Sequence, residues 1–457
     1  MASPTSVTRI CGSDTSSCGY CHSGTRSSAS CGMWAFSLAP HAYQALIDRG
    51  WRRSGQYLYI PDPLMTCCPC YTIRVDVAEF SPSKSQKKTL RKMRRYLNTK
   101  PGDKPSAEEA GEDDPASHLT HPDQPDQSSP AAGTKPEVLV APAQDEPIEL
   151  YSAELPGPNK KLLKQLKATK MQSQHEHPDA APRAENAVNT KKLNDLFKEI
   201  EAGSTHQLRV ELVPAKFEQE TFELFAKYQT RVHKDPPSKF DDPSSYISFL
   251  VDNPFPKAQG RSLSYGGFHQ KYYLDDKLIA VGVIDILPKC VSSVYFMYDP
   301  DMSFLSLGVY GAIREVMFAQ SLSQVLPDLK YYYMGYYIHS CPQMRYKAQY
   351  RPSYLLCHDD YKWYPYEKCA KLLDQNKRVS FSESLKADPE GQTVRPLSEK
   401  QASAVKDSDI MDLWVHTGRE IVQLRRVYRF YNDDIAKIKE LYVLVGEDTL
   451  QSIALNI

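Results

Sequence analysis

The residues of this 457-residue chain best spaced for chemistry are two cysteine clips. One is Cys18-Gly19-Tyr20-Cys21 and the other is the cluster Cys67-Cys68-Pro69-Cys70. A C-x-x-C loop brings two thiolates to one tetrahedral metal, and two such loops complete a four-sulfur shell. By spacing alone the set is Cys18, Cys21, Cys67 and Cys70. A soft thiolate shell accepts either zinc or an iron–sulfur cluster. Cys290, Cys341, Cys357 and Cys369 are scattered and read as small core residues.

A second chemical signal follows the second clip. Lys84, Lys87, Lys88, Arg91, Lys92, Arg94 and Arg95 make half of the segment Lys84 to Leu97. Leu90, Met93 and Leu97 fall on one narrow helical face. The ordinary reading is a solvated face of a packed helix. The sharper one is contact with a nucleic-acid backbone, which needs clustered cations on one surface.

The elements that must position these groups begin with a segment, residues 1–30, that has no hydrophobic periodicity and is expected to be loop around a metal. A short helix ending at Gly50, a strand at Gln56–Ile60 and a strand at Tyr71–Val77 are expected next. Further on, a strand at His206–Pro214 and a helix at Glu218–His233 precede three strands. These are Phe268–Leu274, Leu278–Leu287 and Ser292–Tyr298. A helix through Gln320 and a strand at Lys330–Ile338 complete the series. The expected class is α+β. The order strand–helix–strand–strand–strand–helix–strand resembles a GNAT-like acyltransferase body, with a small N-terminal cysteine-rich metal-binding domain before it. Four regions are expected: 1–100 cysteine-rich with the basic helix, 101–190 linker, 191–400 catalytic and 401–457 a C-terminal extension.

Bulk composition agrees with a soluble globular protein, at 41% apolar and 25% charged. The zero net charge conceals an asymmetry. Residues 101–150 hold twelve acidic side chains, two lysines and nine prolines, leaving a net of +10 for the rest. That tract cannot bury enough apolar surface to offset its ordering entropy and is expected to be disordered. A basic body fits a polyanionic partner. Met1 to Thr8 has no apolar core of signal-peptide length, and no run of 18 apolar residues exists, so no membrane association is expected. The irregular cysteines point to a reducing compartment.

The run Tyr331-Tyr332-Tyr333-Met334-Gly335-Tyr336-Tyr337-Ile338-His339-Ser340-Cys341-Pro342-Gln343-Met344-Arg345-Tyr346-Lys347 carries a resemblance. With Cys18-Gly19-Tyr20-Cys21, Cys67-Cys68-Pro69 and Gly266-Gly267-Phe268-His269, it closely resembles the arginyl-tRNA-protein transferase family in its animal form. The resemblance covers residues 11–100 and about 190–375. It implies transfer of arginine from arginyl-tRNA to the N-terminal amine of proteins starting with Asp, Glu or oxidised Cys. It also implies that these targets enter a ubiquitin-ligase degradation route, the N-degron pathway, in cytoplasm and nucleus. The family's metal pattern uses the adjacent pair Cys67 and Cys68 where spacing chooses Cys70, so both remain candidates for the fourth ligand.

That reaction starts from an activated ester and needs no ATP. The chain has neither a G-x-x-x-x-G-K-[ST] nor a G-x-G-x-x-G loop. The pyrophosphate loop of acetyl-CoA enzymes is also missing, and Ser306-Leu307-Gly308-Val309-Tyr310-Gly311-Ala312 stands at the corresponding turn. Neither ATP nor acetyl-CoA is expected as a cofactor. Aminolysis of an ester needs a neutral amine and a route for its proton. His339 and Asp285 are the candidate catalytic groups. An acidic first residue needs a cation, for which Arg345 and Lys347 are the candidates. Tyr336, Tyr337, Tyr346 and Tyr350 are expected to line the pocket and stack on the terminal adenosine. Two other readings remain at this level: a CoA-dependent N-acetyltransferase, and a non-catalytic RNA-binding adaptor.

Overall fold

The computed structural model describes residues 6–24, 26–99, 193, 196–200, 202–257, 264–384, 399–428 and 434–456. The expected linker 101–190 lies outside them. Two mixed sheets organise an α+β fold. The chain opens with β1 (Ser6–Ser16), β2 (Ser28–Ser37), helix α1 (Pro40–Ile47), β3 (Arg52–Ser54), β4 (Tyr57–Pro61), β5 (Tyr71–Asp76) and helix α2 (Lys84–Leu97). It continues with β6 (Leu208–Pro214), α3 (Gln219–Tyr228), β7 (Gly266–Leu274), β8 (Lys277–Ile286), β9 (Cys290–Tyr298), α4 (Leu307–Ser323) and β10 (Tyr331–Tyr337). The last part adds β11 (Ser353–Leu356), β12 (Trp363–Pro365), α5 (Tyr366–Gln375), β13 (Trp414–His416), β14 (Ile421–Gln423), α6 (Ile435–Val445) and β15 (Ile453–Asn456).

The strand–helix–strand–strand–strand–helix–strand order runs from β6 to β10. Strands β6 to β9 form an antiparallel meander, and Asp275 and Asp276 turn between β7 and β8 with φ of 48° and 65°. The left-handed pair gives the tight turn that matches strand twist. Helix α4 then carries the chain over to β10, which pairs parallel with β9. Such a parallel neighbour requires a crossover of this kind.

The eight-stranded sheet has the order β12-β11-β5-β10-β9-β8-β7-β6. Its interior therefore includes β5, which comes from residues 71–76 and lies antiparallel to β10. The seven-stranded sheet, β14-β13-β15-β1-β2-β4-β3, pairs the C-terminal strand β15 parallel with β1.

Residues 1–30 correct the expectation of loop. All of β1 and the start of β2 lie there, and they pair antiparallel from Val7–Ser37 to Ser16–Ser28. Register shifts at Val7/Thr8 and Ile10/Gly12 break the alternation on which a sequence-level strand signal depends. Tertiary pairing, from β15 on one side and β2 on the other, supplies what local pattern lacks.

Helix α2 spans the expected residues. The Ser83 hydroxyl accepts from the Gln86 backbone and the Gln86 side chain accepts from the Ser83 backbone, a reciprocal capping box. Leu90, Met93 and Leu97 are buried, whereas Lys84, Lys87, Lys88, Arg91, Arg94 and Arg95 are exposed and Lys92 is half-buried. Arg94 pairs with Glu199 at 2.8 Å. No helix among the described residues is long and apolar enough to cross a membrane.

Candidate active site and thiolate centre

The cleft originates in the geometry of β10. Only Tyr331, Tyr332 and Tyr333 pair with β9, opposite Cys290, Val291 and Ser292. On its other edge β10 pairs with β5, but the register breaks between Tyr333 and Tyr336. Gly335 within that break has φ of 71°, a conformation that costs a glycine nothing. The bulge bends β10, and past it β10 is no longer paired with β9. Beyond the three paired residues lies a cleft of about 160 Å³.

Both strands and several other segments line it. Strand β9 contributes Ser292, Ser293 and Tyr295, and β10 contributes Tyr332, Gly335 and Tyr336. Gly308, Ala312 and Glu315 come from one face of α4. Arg52 and Arg53 come from β3, while Tyr346 and Lys347 come from the turn after Cys341. Tyr20, one of the two residues inside the first cysteine clip, also lines the cleft.

Charge is unevenly balanced here. Arg53 is neutralised: its Nε donates to Asp285 Oδ2 at 2.7 Å and its Nη2 to Oδ1 at 2.6 Å, with both side chains buried. Burial pushes the Asp285 carboxyl up, and Arg53 opposes that shift. Lys347 has no such partner. Its Nζ donates to the Tyr336 carbonyl at 2.8 Å. The charged and titratable groups bearing on it are Arg52, Cys70 and Cys341, with no carboxylate among them. Burial first, then repulsion from Arg52, brings it down to about 7. Arg52 reaches the Trp51 carbonyl with Nη1 at 2.7 Å, but its buried Nε has no hydrogen-bond partner. One carboxylate, Glu315, lines the same cleft. Burial raises it to about 7, against a hydrogen bond from the Tyr332 hydroxyl at 2.6 Å.

The thiolate centre adjoins this cleft. The sulfurs of Cys18, Cys21, Cys67 and Cys68 all lie within 4.8 Å of one another. Four thiolates at that separation suit a tetrahedral metal or a small cluster, given a metal–sulfur bond of about 2.3 Å. Cys70 stands apart, its Sγ directed at the Cys68 carbonyl at 3.3 Å. A hydrogen bond from Ser23 brings the exposed Cys21 thiol down to about 6. Cys18 and Cys68 share one buried cluster with Cys70, Tyr336, Ile338, Cys341 and Met344, against which Tyr20 packs.

The sequence matches two family models, "Arginine-tRNA-protein transferase, N terminus" over residues 16–88 and "Arginine-tRNA-protein transferase, C terminus" over residues 220–357. Arginyl-tRNA-protein transferase 1 of Drosophila melanogaster is 39% identical over 445 residues, covering 88% of this chain and 90% of that protein. The chain belongs to the arginyl-tRNA-protein transferase family. Arginyl-tRNA-protein transferase 2 of Arabidopsis thaliana is 33% identical over 464 residues, covering 81% of this chain and 76% of that protein. A protein named aspartate/glutamate leucyltransferase, from Pseudomonas fluorescens, is 36% identical over 153 residues, covering 33% of this chain and 57% of its own.

In this family member the residues expected at the site divide into two groups. Tyr336, Tyr346 and Lys347 line the cleft. Asp285 lies behind it, with both oxygens engaged by Arg53. Arg345 is exposed, next to Tyr337. His339 sits in a separate hollow, between the Tyr337 hydroxyl at 2.7 Å and Asp374 at 2.9 Å. Tyr350 is core, its ring stacked on Phe80. Arg52, Arg53, Glu315 and Tyr20 were not among the expected residues. Arg52 and Arg53 stand out only once the three-residue strand Arg52–Ser54 is seen to be buried, since a buried charge is costly unless used, and no local sequence pattern marks them.

Proposed function

We propose that the protein transfers arginine from arginyl-tRNA to the α-amine of proteins whose first residue is acidic: Asp, Glu or oxidised Cys. The amine nitrogen bonds to the ester carbonyl carbon, the bond from that carbon to the ribose oxygen breaks, and the amine's proton ends on the released hydroxyl. The observation that carries this reading is the cationic wall of the cleft, in a chain of this family. Lys347 and Arg52 are buried cations without a carboxylate partner, and burying a charge is costly unless it is paired. An acidic side chain from the acceptor supplies the missing counter-ion. The relative named for aspartate and glutamate supports an acidic acceptor.

The tyrosine-rich walls offer flat faces to the terminal adenosine of the tRNA. The exposed cations of α2, Lys84, Lys87, Lys88, Arg91, Arg94 and Arg95, supply backbone contacts beyond it. Cys18, Cys21, Cys67 and Cys68 hold zinc or an iron–sulfur cluster, which ties the first clip to the loop before β5. The arginylated products enter a ubiquitin-dependent degradation route in cytoplasm and nucleus. The direct test is arginine transfer from charged tRNA to an Asp-starting peptide by the wild-type protein and by Lys347→Met. Loss of transfer in the variant with an unchanged fold supports the reading, and equal transfer by both contradicts it.

A further inference from the structure

We infer that Glu315 selects the donor amino acid, receiving the guanidinium of the arginyl group at the inner end of the cleft. This rests on the proposed arginyl-tRNA reaction. Four charged side chains line the cleft, and three are cations: Arg52, Arg53 and Lys347. Glu315 is the one carboxylate among the lining residues. A cationic substrate group entering a cavity of this kind has one place where its charge is balanced.

The carboxylate has a built setting. Its carrier helix presents Gly308, Ala312 and Glu315 along one face, so two small residues leave space in front of the acid. On the sheet side, a Cβ added at Gly282 would stand 2.6 Å from Glu315 Oε1. Glycine at that strand position is what admits the carboxylate. The Tyr332 hydroxyl donates to Oε2 at 2.6 Å and fixes the plane of the group. Tyr295 and Tyr346, also lining the cleft, offer aromatic faces of the type on which a guanidinium stacks.

Placement separates this acid from the cationic wall. Glu315 is held through Tyr332, in the part of β10 still paired with β9. Lys347 is held by Tyr336, four residues further along. Along the strand these two anchors are at most roughly 13 Å apart, less across the bulge at Gly335. The donor's basic side chain and the acceptor's acidic side chain thus reach opposite charges at two separate points, with the ester and amine between them. A site with only the cationic wall would repel an arginyl group. The raised carboxyl is consistent with an acid awaiting its counter-charge, since an entering guanidinium favours the ionised form.

The test uses the full chain and one tRNA charged either with arginine or with citrulline, the neutral isostere in which a urea replaces the guanidinium. The acceptor is an Asp-starting peptide. Wild type is expected to use the arginyl form at least tenfold better in kcat/KM, a factor in line with one charge-assisted hydrogen-bonded pair. Equal use of both by wild type overturns the inference without any variant. Glu315→Gln, with thermal unfolding measured alongside, is expected to lower arginyl transfer while leaving citrullyl transfer within threefold, so the ratio collapses toward one. A ratio that stays at the wild-type value in a folded Glu315→Gln protein also overturns it. If wild type transfers neither group to the peptide, the proposed reaction itself fails, which is a different result from either of these.

Discussion

Lys347 Nζ donates to the backbone carbonyl of Tyr336 at 2.8 Å, inside a cleft where Arg52 repels it and no carboxylate balances it. Two cations held side by side in a buried wall destabilise the free protein. On the proposed reading, the acidic side chain of an acceptor makes use of that arrangement.

Replacing Lys347 by Met removes the charge and keeps most of the stem. Transfer to an Asp-starting peptide is expected to fall at least a hundredfold, chiefly through KM. Thermal stability is expected to hold or rise, because an unbalanced buried charge is removed. A lower unfolding temperature with intact KM would mean that Lys347 is structural.

The depressed Lys347 also gives a pH signature. Its folded value is about 7, against an unfolded value near 10.4. Between those values the unfolded chain binds the extra proton, so this group's contribution makes stability rise with pH across that window. Its destabilising effect is complete below about pH 7. Acceptor binding runs the other way: KM for an Asp-starting peptide is expected to rise above about pH 7, as the free enzyme loses the lysine's charge. Lys347→Arg, which stays charged, is expected to lack that rise, so the ratio of wild-type to Lys347→Arg KM, in which titration of the peptide's own amine cancels, climbs above about pH 7 if the assignment is correct. The three values to compare are wild type, Lys347→Arg and Lys347→Met.

Asp285 neutralises Arg53 rather than facing substrate. Asp285→Asn is therefore expected to destabilise the fold by about 3–5 kcal/mol by stranding a buried guanidinium. The double variant Arg53→Met/Asp285→Leu is expected to be more stable than Asp285→Asn, measured by denaturant unfolding. If Asp285→Asn abolishes transfer at full stability, Asp285 is a proton-transfer group and the role given to it here is incorrect.

The fourth sulfur ligand follows from where Cys68 and Cys70 point. Cys68→Ser is expected to lose bound metal, whereas Cys70→Ser retains it, in protein purified without oxygen. Metal content and visible absorption report both the ligand and whether the centre is zinc or iron–sulfur. Chelation is expected to lower transfer as well, because Tyr20, between two ligands, lines the cleft. Loss of metal from Cys70→Ser alone would reverse the ligand assignment.

On α2, reversing Lys87, Lys88, Arg91 and Arg94 to Glu is expected to weaken tRNA binding. Each lost phosphate contact reduces the slope of log affinity against log salt by somewhat under one. An unchanged slope would assign the helix face to solvent.

Much of this was legible in the chain. The strands β6 to β10 and helix α2 follow from alternation, turn residues and the helical spacing of Leu90, Met93 and Leu97, all local signals. Lys347, Tyr336 and Tyr346 were marked by one continuous motif. What escaped depends on pairing across long separations. Strand β5 sits between β10 and β11 only because residues 71–76 meet residues 331–337 and 353–355. Arg52 and Arg53, on β3 of the other sheet, and Tyr20 likewise meet a cleft made largely by residues between 292 and 347. Glu315 stands beside Arg314 in a mostly apolar helix, and nothing in the local pattern marks it. The choice between Cys68 and Cys70 needed the bend at Cys67 and Cys68, which spacing does not specify.

The central claim is that this chain joins arginine to acidic N-termini. Its most direct test is transfer of labelled arginine from charged tRNA to peptides that differ only at residue one. Label is expected on peptides starting with Asp, Glu or oxidised Cys and not on those starting with Ala or Lys, with the preference lost in Lys347→Met. Equal labelling of all five, or acetyl transfer from acetyl-CoA in place of arginine, would contradict it.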